Sequence, residues 1–181
     1  MSNAATSWKA FLAPALLIPS LCIVIPGFAA ADDTCLDPLF ACETAGNKAI
    51  QICSVEEVVG ERWSHIQYRF GTLEKPELVY PADSSKGAQS LFFSHVSRKS
   101  LYEVSVRFTN GGYTYRVFSI ANDKGEGSAG VIVSDAKGKR LSTIHCIERP
   151  LLFAPYLQKA LACDAANPHG KAACAEHAPR R

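Results

Sequence analysis

Residues 101–121 read LYEVSVRFTNGGYTYRVFSIA, and this stretch decides the fold. Tyr102, Val104, Val106 and Phe108 alternate with Glu103, Ser105 and Arg107, the period of two that sends one set of side chains inward and the other outward on a strand. Asn110-Gly111-Gly112 follows, residue types that accept the positive φ of a tight hairpin turn. Tyr113–Ala121 then runs back as a second strand. The unit is an antiparallel hairpin.

The same pattern recurs on both sides. Lys48–Cys53 puts Ile50 and Ile52 on one face, and Arg62–Phe70 sets Ser64, Ile66, Tyr68 and Phe70 against Trp63, His65, Gln67 and Arg69. Shorter extended runs occupy Glu77–Tyr80, Ser90–Val96, Gly130–Val133 and Arg140–Ile147, with turns at Asp123–Gly127 and Lys137-Gly138-Lys139. Together they predict an all-β domain, a small antiparallel β-sandwich or barrel of about 7–8 strands. After Pro150 the pattern changes. Leu152, Tyr156 and Lys159-Ala160 stand at helical spacing and predict a short C-terminal helix over 155–162. Residues 150–181 read as this helix plus a poorly ordered tail, an appendage outside the core of a β domain at 32–149.

The N-terminus reads as a signal peptide over 1–31. A short polar segment ending in Lys9 precedes an apolar run from Phe11 to Ala31, and Ala29 and Ala31 form the small-residue cleavage pair. An uncleaved anchor is the competing reading, but Pro14, Pro19 and Pro26 would interrupt a spanning helix. Leu21 fills the position before Cys22 where a lipoprotein signal needs a small residue. The mature chain is therefore expected to begin at Asp32, periplasmic or extracellular, with no stable membrane anchor. Nineteen Lys and Arg face seventeen Asp and Glu, and losing Lys9 leaves 18 against 17, a net charge of +1. That balance offers no electrostatic footprint for nucleic acid.

Of the seven cysteines, Cys22 leaves with the signal, and the remaining six read as a disulfide framework with fifteen pairings open. Short loops favour Cys42–Cys53 and Cys163–Cys174, which leaves Cys35–Cys146 by elimination and no free thiol. Zinc is the alternative, through His169 and His177 beside the last two cysteines, but their spacing matches no zinc pattern.

Chemistry-bearing motifs are few. Gly125-x-Gly127-x-x-Gly130 has the letters of a dinucleotide fingerprint, yet a strand follows it where the pyrophosphate needs a helix N-terminus, so no cofactor is expected. Ser134-x-x-Lys137 flanks an exposed turn and not the helix that Ser–Lys nucleophiles require. His65, His95 and His145 belong to three different strands, and no metal is expected. Tyr113, Tyr115 and Arg116 sit on one aromatic strand, and Arg69 and Arg107 are read as sharing a sheet face with Arg116 and Glu103. Those five residues are the expected binding surface, because Tyr and Arg dominate protein interfaces.

Phe40-x-Cys42-x-Thr44-x-Gly46-Asn47-Lys48-x-Ile50-x-Ile52-Cys53, then Tyr68-x-Phe70-Gly71 and Pro76-Glu77-Leu78, resembles a set of small secreted bacterial β-domain proteins of unassigned function. The resemblance runs on through Asn110-Gly111-Gly112 to Phe118 and Ala129-Gly130-Val131 to Cys146, covering about residues 35–147. In plan these proteins look like the periplasmic lysozyme inhibitors of the MliC type. The resemblance implies export, about eight cysteine-tied strands and binding without catalysis. Those inhibitors insert a Ser-Gly-rich loop carrying an aromatic residue into the lysozyme cleft. This chain has no such loop, Ser84-Ser85-Lys86-Gly87 and Ser97-Arg98-Lys99-Ser100 being only loosely comparable.

The expected function is that of an exported, non-catalytic binding protein whose partner is a protein of the cell envelope, a cell-wall hydrolase being the specific candidate. Two other classes compete, a non-standard secreted enzyme and a structural envelope subunit. A pocket holding His65, His95 or His145 beside a carboxylate would favour catalysis. A flat aromatic-Arg patch would favour binding, and a long exposed edge strand a structural subunit.

Overall fold

The structure is a computed structural model, which describes residues 35–56, 65–170 and 173. The signal segment, Arg62–Ser64 of the expected strand, Cys174 and His177 all lie outside the described residues. Eleven strands form two sheets. In chain order these are β1 (Asp37–Thr44), β2 (Lys48–Ser54), β3 (Ile66–Gly71), β4 (Pro76–Tyr80), β5 (Phe92–Arg98), β6 (Leu101–Asn110), β7 (Tyr113–Ala121), β8 (Gly127–Ser134), β9 (Arg140–His145), β10 (Leu151–Leu152) and β11 (Ala162–Cys163). A short α1 (Gly87–Ser90) precedes β5, and α2 (Ala154–Ala160) lies between the last two strands. One sheet has the order β10-β1-β2-β3-β4, the other β11-β5-β6-β7-β8-β9.

The inner faces meet in one apolar cluster. Phe40, Ile50, Ile52 and Tyr68 from the first sheet pack with Phe93, Val104, Val106, Phe108, Val117 and Val131 from the second. The quoted hairpin forms as its alternation predicts, with Arg107 opposite Arg116 and Phe108 opposite Tyr115. Gly111 and Gly112 carry the turn at φ of 58° and 82°. Across the core, the Phe108 ring stacks between Tyr80 and Tyr115 at 4.7 and 4.8 Å and touches Tyr68 at 4.8 Å. The architecture is the expected all-β sandwich with a short C-terminal helix.

Burial, and after it the neighbouring Tyr115, raises the Tyr68 hydroxyl well above its ordinary value of 10.0. A phenol that resists ionisation when folded stabilises the fold fully below the unfolded value and less as pH rises past it. Stability should therefore fall above about pH 10 by about 1.4 kcal/mol per pH unit on account of this one group. Urea unfolding at a series of alkaline pH values measures the slope, and Tyr68→Phe should flatten it by that amount.

Three expectations are corrected. First, residues 150–163 are not an appendage. β10 pairs with β1, β11 pairs in parallel with β5, and α2 packs against both β1 and β5. Ala154, Leu157 and Leu161 are buried in the same core cluster, Leu157 completely. The apolar face of α2 covers the end of the sandwich that β1 and β5 leave open, so the helix belongs to the fold.

Second, the tail is built at least as far as Gly170, across the outer face of the six-stranded sheet. Asp164 N–H donates to Phe93 O (2.7 Å), and its carboxylate takes two hydrogen bonds from the Arg107 guanidinium at 2.8 Å each. Asn167 donates to the backbone carbonyls of Asp164 and Gly170 and accepts from His169 N–H, closing a turn. Beneath this segment Glu103 and Ser105, read from sequence as outward and solvated, are only 8 % and 3 % exposed.

Third, two of the three expected cysteine pairs are replaced, while the expected Cys163–Cys174 pair involves Cys174, outside the described residues. Cys35 bonds to Cys53 and Cys42 to Cys146, with Cα separations of 5.3 and 5.6 Å. The β1–β2 turn sets a register in which Cys42 faces Ile50 and Cys53 faces Pro38. Cys42 and Cys53 are thus three rungs apart, about 10 Å and beyond disulfide reach. Cys53 instead lies near Cys35, just before β1, while Cys146 bridges to Thr44 beside Cys42 and ties the two sheets. Cys163 is also disulfide-bonded, which removes it as a zinc ligand.

Candidate functional site

The residues nominated by sequence do not come together. Tyr113 is exposed at the hairpin end, and Tyr115 is spent on the core ring stack. Arg107 and Arg116 are cross-strand neighbours, but each charge is matched within the fold, Arg107 by Asp164 and Arg116 by Glu103 at 2.7 Å. His169 adds to that network, with Nε2 3.6 Å from Glu103 and Nδ1 3.0 Å from the Arg98 guanidinium. Arg69 lies in the other sheet, between Gln51 and Val79, and donates to Gln67 Oε1 at 3.3 Å. Alternation assigns a face within one sheet but says nothing about which sheet a strand joins, and this misplaced Arg69.

The glycine motif is structural. Gly125 carries the β7–β8 turn, and β8 starts at Gly127. A Cβ on Gly127 would stand 1.9 Å from Ile120 O, and one on Gly130 would stand 2.1 Å from Ile144 O, so both glycines permit close strand approach. His65 pairs with Glu56 (2.8 Å), His95 stacks on Tyr102 (4.6 Å) and His145 meets Phe118 edge-on (6.2 Å). Among the described residues no three His, Cys, Asp or Glu side chains are grouped to hold a metal ion.

A site emerges elsewhere, at the end of the sandwich beyond β7 and β8. On the inner face there, large core residues give way to small ones. Ser119 sits opposite Ala129, and Ala121 opposite Gly127. Across the gap runs the crossover from β9 to α2, pinned at its start by the Cys42–Cys146 bond. The two walls enclose a pocket of about 510 Å³, lined by Ser119, Ala121 and Tyr102 on one side and by Ile147, Arg149 and Leu152 on the other. That volume falls within the usual range for ligand sites.

The same stretch of chain leaves large apolar side chains in solvent, of which Ile147 lines the pocket. Ile147, Leu151, Phe153 and Tyr156 are 66, 44, 42 and 43 % exposed, and the Phe153 and Tyr156 rings stand 5.9 Å apart. Four large apolar side chains within ten residues, left in solvent beside a pocket, are a feature that a monomeric surface ordinarily avoids. The pocket lining itself is largely polar, with Tyr102, Ser119, Ser128, Glu148 and Arg149 among its residues. Glu148 and Arg149 are exposed at the rim, and the Arg149 guanidinium comes within 4.0 Å of where a Cβ on Gly125 would stand.

A smaller hollow of about 320 Å³ lies on the outer face of the first sheet, floored by Ala41, Ala49 and Gln51. Neither His65, His95 nor His145 lines either cavity. The crossover pocket was readable in principle, since Ser119, Ala121, Gly127 and Ala129 break the run of large inward residues. No helix among the described residues is long and apolar enough to cross a membrane. No family model, no curated protein and no solved structure matches this chain.

Proposed function

We propose that the chain is an exported binding protein of the bacterial envelope, acting by capture of a protein partner and not by catalysis. The observation that carries this reading is the pocket at the β9–α2 crossover, together with the exposed Ile147, Leu151, Phe153 and Tyr156 on the same stretch of chain. Aromatic and aliphatic anchors around a desolvated pocket are the usual source of interface affinity. The Cys42–Cys146 disulfide fixes one wall and so reduces the ordering cost of binding, and disulfides belong to oxidising compartments. A cell-wall hydrolase is the partner to which the resemblance in plan points. A second reading, a structural envelope subunit, is favoured by the exposed edge strand β9.

The test is affinity capture from an envelope extract with the mature protein and with Ala121→Phe, which fills the pocket from its mouth. The reading expects one defined partner retained by the parent and lost from Ala121→Phe, while both melt at the same temperature. Equal retention by the two proteins would overturn the pocket's role.

A further inference from the structure

Resting on the reading of a partner held at the β9–α2 crossover, we infer that what enters the pocket is a neutral saccharide presented by that partner. The site has two sides. Tyr102 and Ser119 share the inner face of β6 and β7 with Val104 and Val117, which lie further into the core. Glu148 and Arg149 stand opposite, on the crossover. The Arg149 guanidinium lies 4.0 Å from where a Cβ on Gly125 would be, and Gly125 itself lines the pocket, so this charge reaches the mouth.

The fold makes no use of these polar groups. Among the described residues, Ser119, Glu148 and Arg149 make no side-chain hydrogen bond or ion pair. On the other face of the same sheet, by contrast, Arg107 and Arg116 are both matched by carboxylates. Tyr102 is 40 % exposed, and its ring is steadied by His95 at 4.6 Å.

Charge and hydrogen-bonding capacity select the ligand. An anion would face Glu148 and a cation would face Arg149, in the same pocket. An apolar ligand would strip water from Ser119, Glu148 and Arg149 and give nothing in return. A ring bearing several hydroxyls meets all three, because a hydroxyl donates to a carboxylate and accepts from a guanidinium. Its C–H face has an aromatic surface to lie on at Tyr102. A partner's backbone finds less. β7 is paired on both sides as far as Ala121, so its stretch of the floor offers an incoming strand no N–H or C=O.

The probes are four trisaccharides, titrated calorimetrically into the full mature protein: neutral cellotriose, neutral tri-N-acetylchitotriose, cationic triglucosamine and anionic trigalacturonate. At least one neutral trisaccharide should bind at a single site, and both charged ones should bind more weakly by about tenfold or more. Amide exchange should slow at Ser119, Ala121 and Arg149 in the complex. Glu148→Gln and Arg149→Met should each weaken binding by about tenfold, the loss expected for one hydrogen bond to a charged group. Ala121→Phe should abolish it. Failure of both neutral trisaccharides to bind, equal binding of a charged one, or binding that survives Ala121→Phe would each overturn the inference. So would unchanged affinity in both Glu148→Gln and Arg149→Met, exposed substitutions that leave the fold's own contacts intact. Partner capture lost in Ala121→Phe while no neutral trisaccharide binds would overturn the saccharide and leave the protein partner standing. A neutral trisaccharide bound in the pocket with no protein captured would support the saccharide and count against the protein partner. Displacement of a captured partner by the trisaccharide would support both, and carbohydrate staining of that partner tells an attached glycan from one it holds non-covalently.

Discussion

Truncation after Arg149 should abolish the cooperative unfolding transition. The deleted segment contributes the completely buried Leu157, the buried Ala154 and Leu161, and an edge strand to each sheet. It also removes Asp164, the carboxylate that neutralises Arg107. Losing the burial of Leu157 and of Leu161 costs about 2–5 kcal/mol each. Their sum, about 4–10 kcal/mol, is comparable with the 5–15 kcal/mol that a domain has in total. Circular dichroism melting of the truncated chain should show no sigmoidal transition. Leu157→Ala, by contrast, should fold and lose about 2–5 kcal/mol. A truncated chain that melts cooperatively a few degrees lower would mean that the helix is an ornament on a self-sufficient pair of sheets.

The second large effect is at the inter-sheet disulfide. Cys42–Cys146 spans 104 residues of sequence and Cys35–Cys53 spans 18. Chain entropy gives about 4–5 kcal/mol for closing the long loop and about 3 for the short one. Replacing Cys42 and Cys146 together with alanine should therefore destabilise the domain more than replacing Cys35 and Cys53. It should also loosen the crossover that walls the pocket, raising amide exchange at Ile147. Guanidinium unfolding of the two double variants measures the order. The reverse order would mean that the crossover is held by packing alone.

What could be read from the chain, and what could not, divides along physical lines. The β6–β7 hairpin was legible because each residue obeys the strand period and the turn carries two glycines at positive φ. β1 was not, since Leu39 and Phe40 are both buried on either side of a register shift, which erases alternation. Cys42–Cys53 and Cys35–Cys146 were misassigned because loop length was used where register decides, and the register that separates Cys42 from Cys53 comes from pairing geometry. β10 and β11 are two residues long and carry no periodic signal. Arg107 and Arg116 were rightly placed side by side, but their carboxylate partners come from β6 and from a tail that sequence alone leaves unplaced. The exposed apolar side chains between Ile147 and Tyr156 were visible only as apolar letters, which a buried helix would equally produce.

The pocket at the crossover as a partner-binding site is tested most directly by a photo-reactive phenylalanine at Phe153, irradiated in the cells that make the protein. The same group at Lys86, exposed in the turn beside β3 on the other side of the five-stranded sheet from β10, is the control. The account predicts one discrete cross-linked species from position 153, absent from position 86 and abolished when Ala121→Phe is added. No adduct from position 153, or one that persists with the pocket filled, would contradict it.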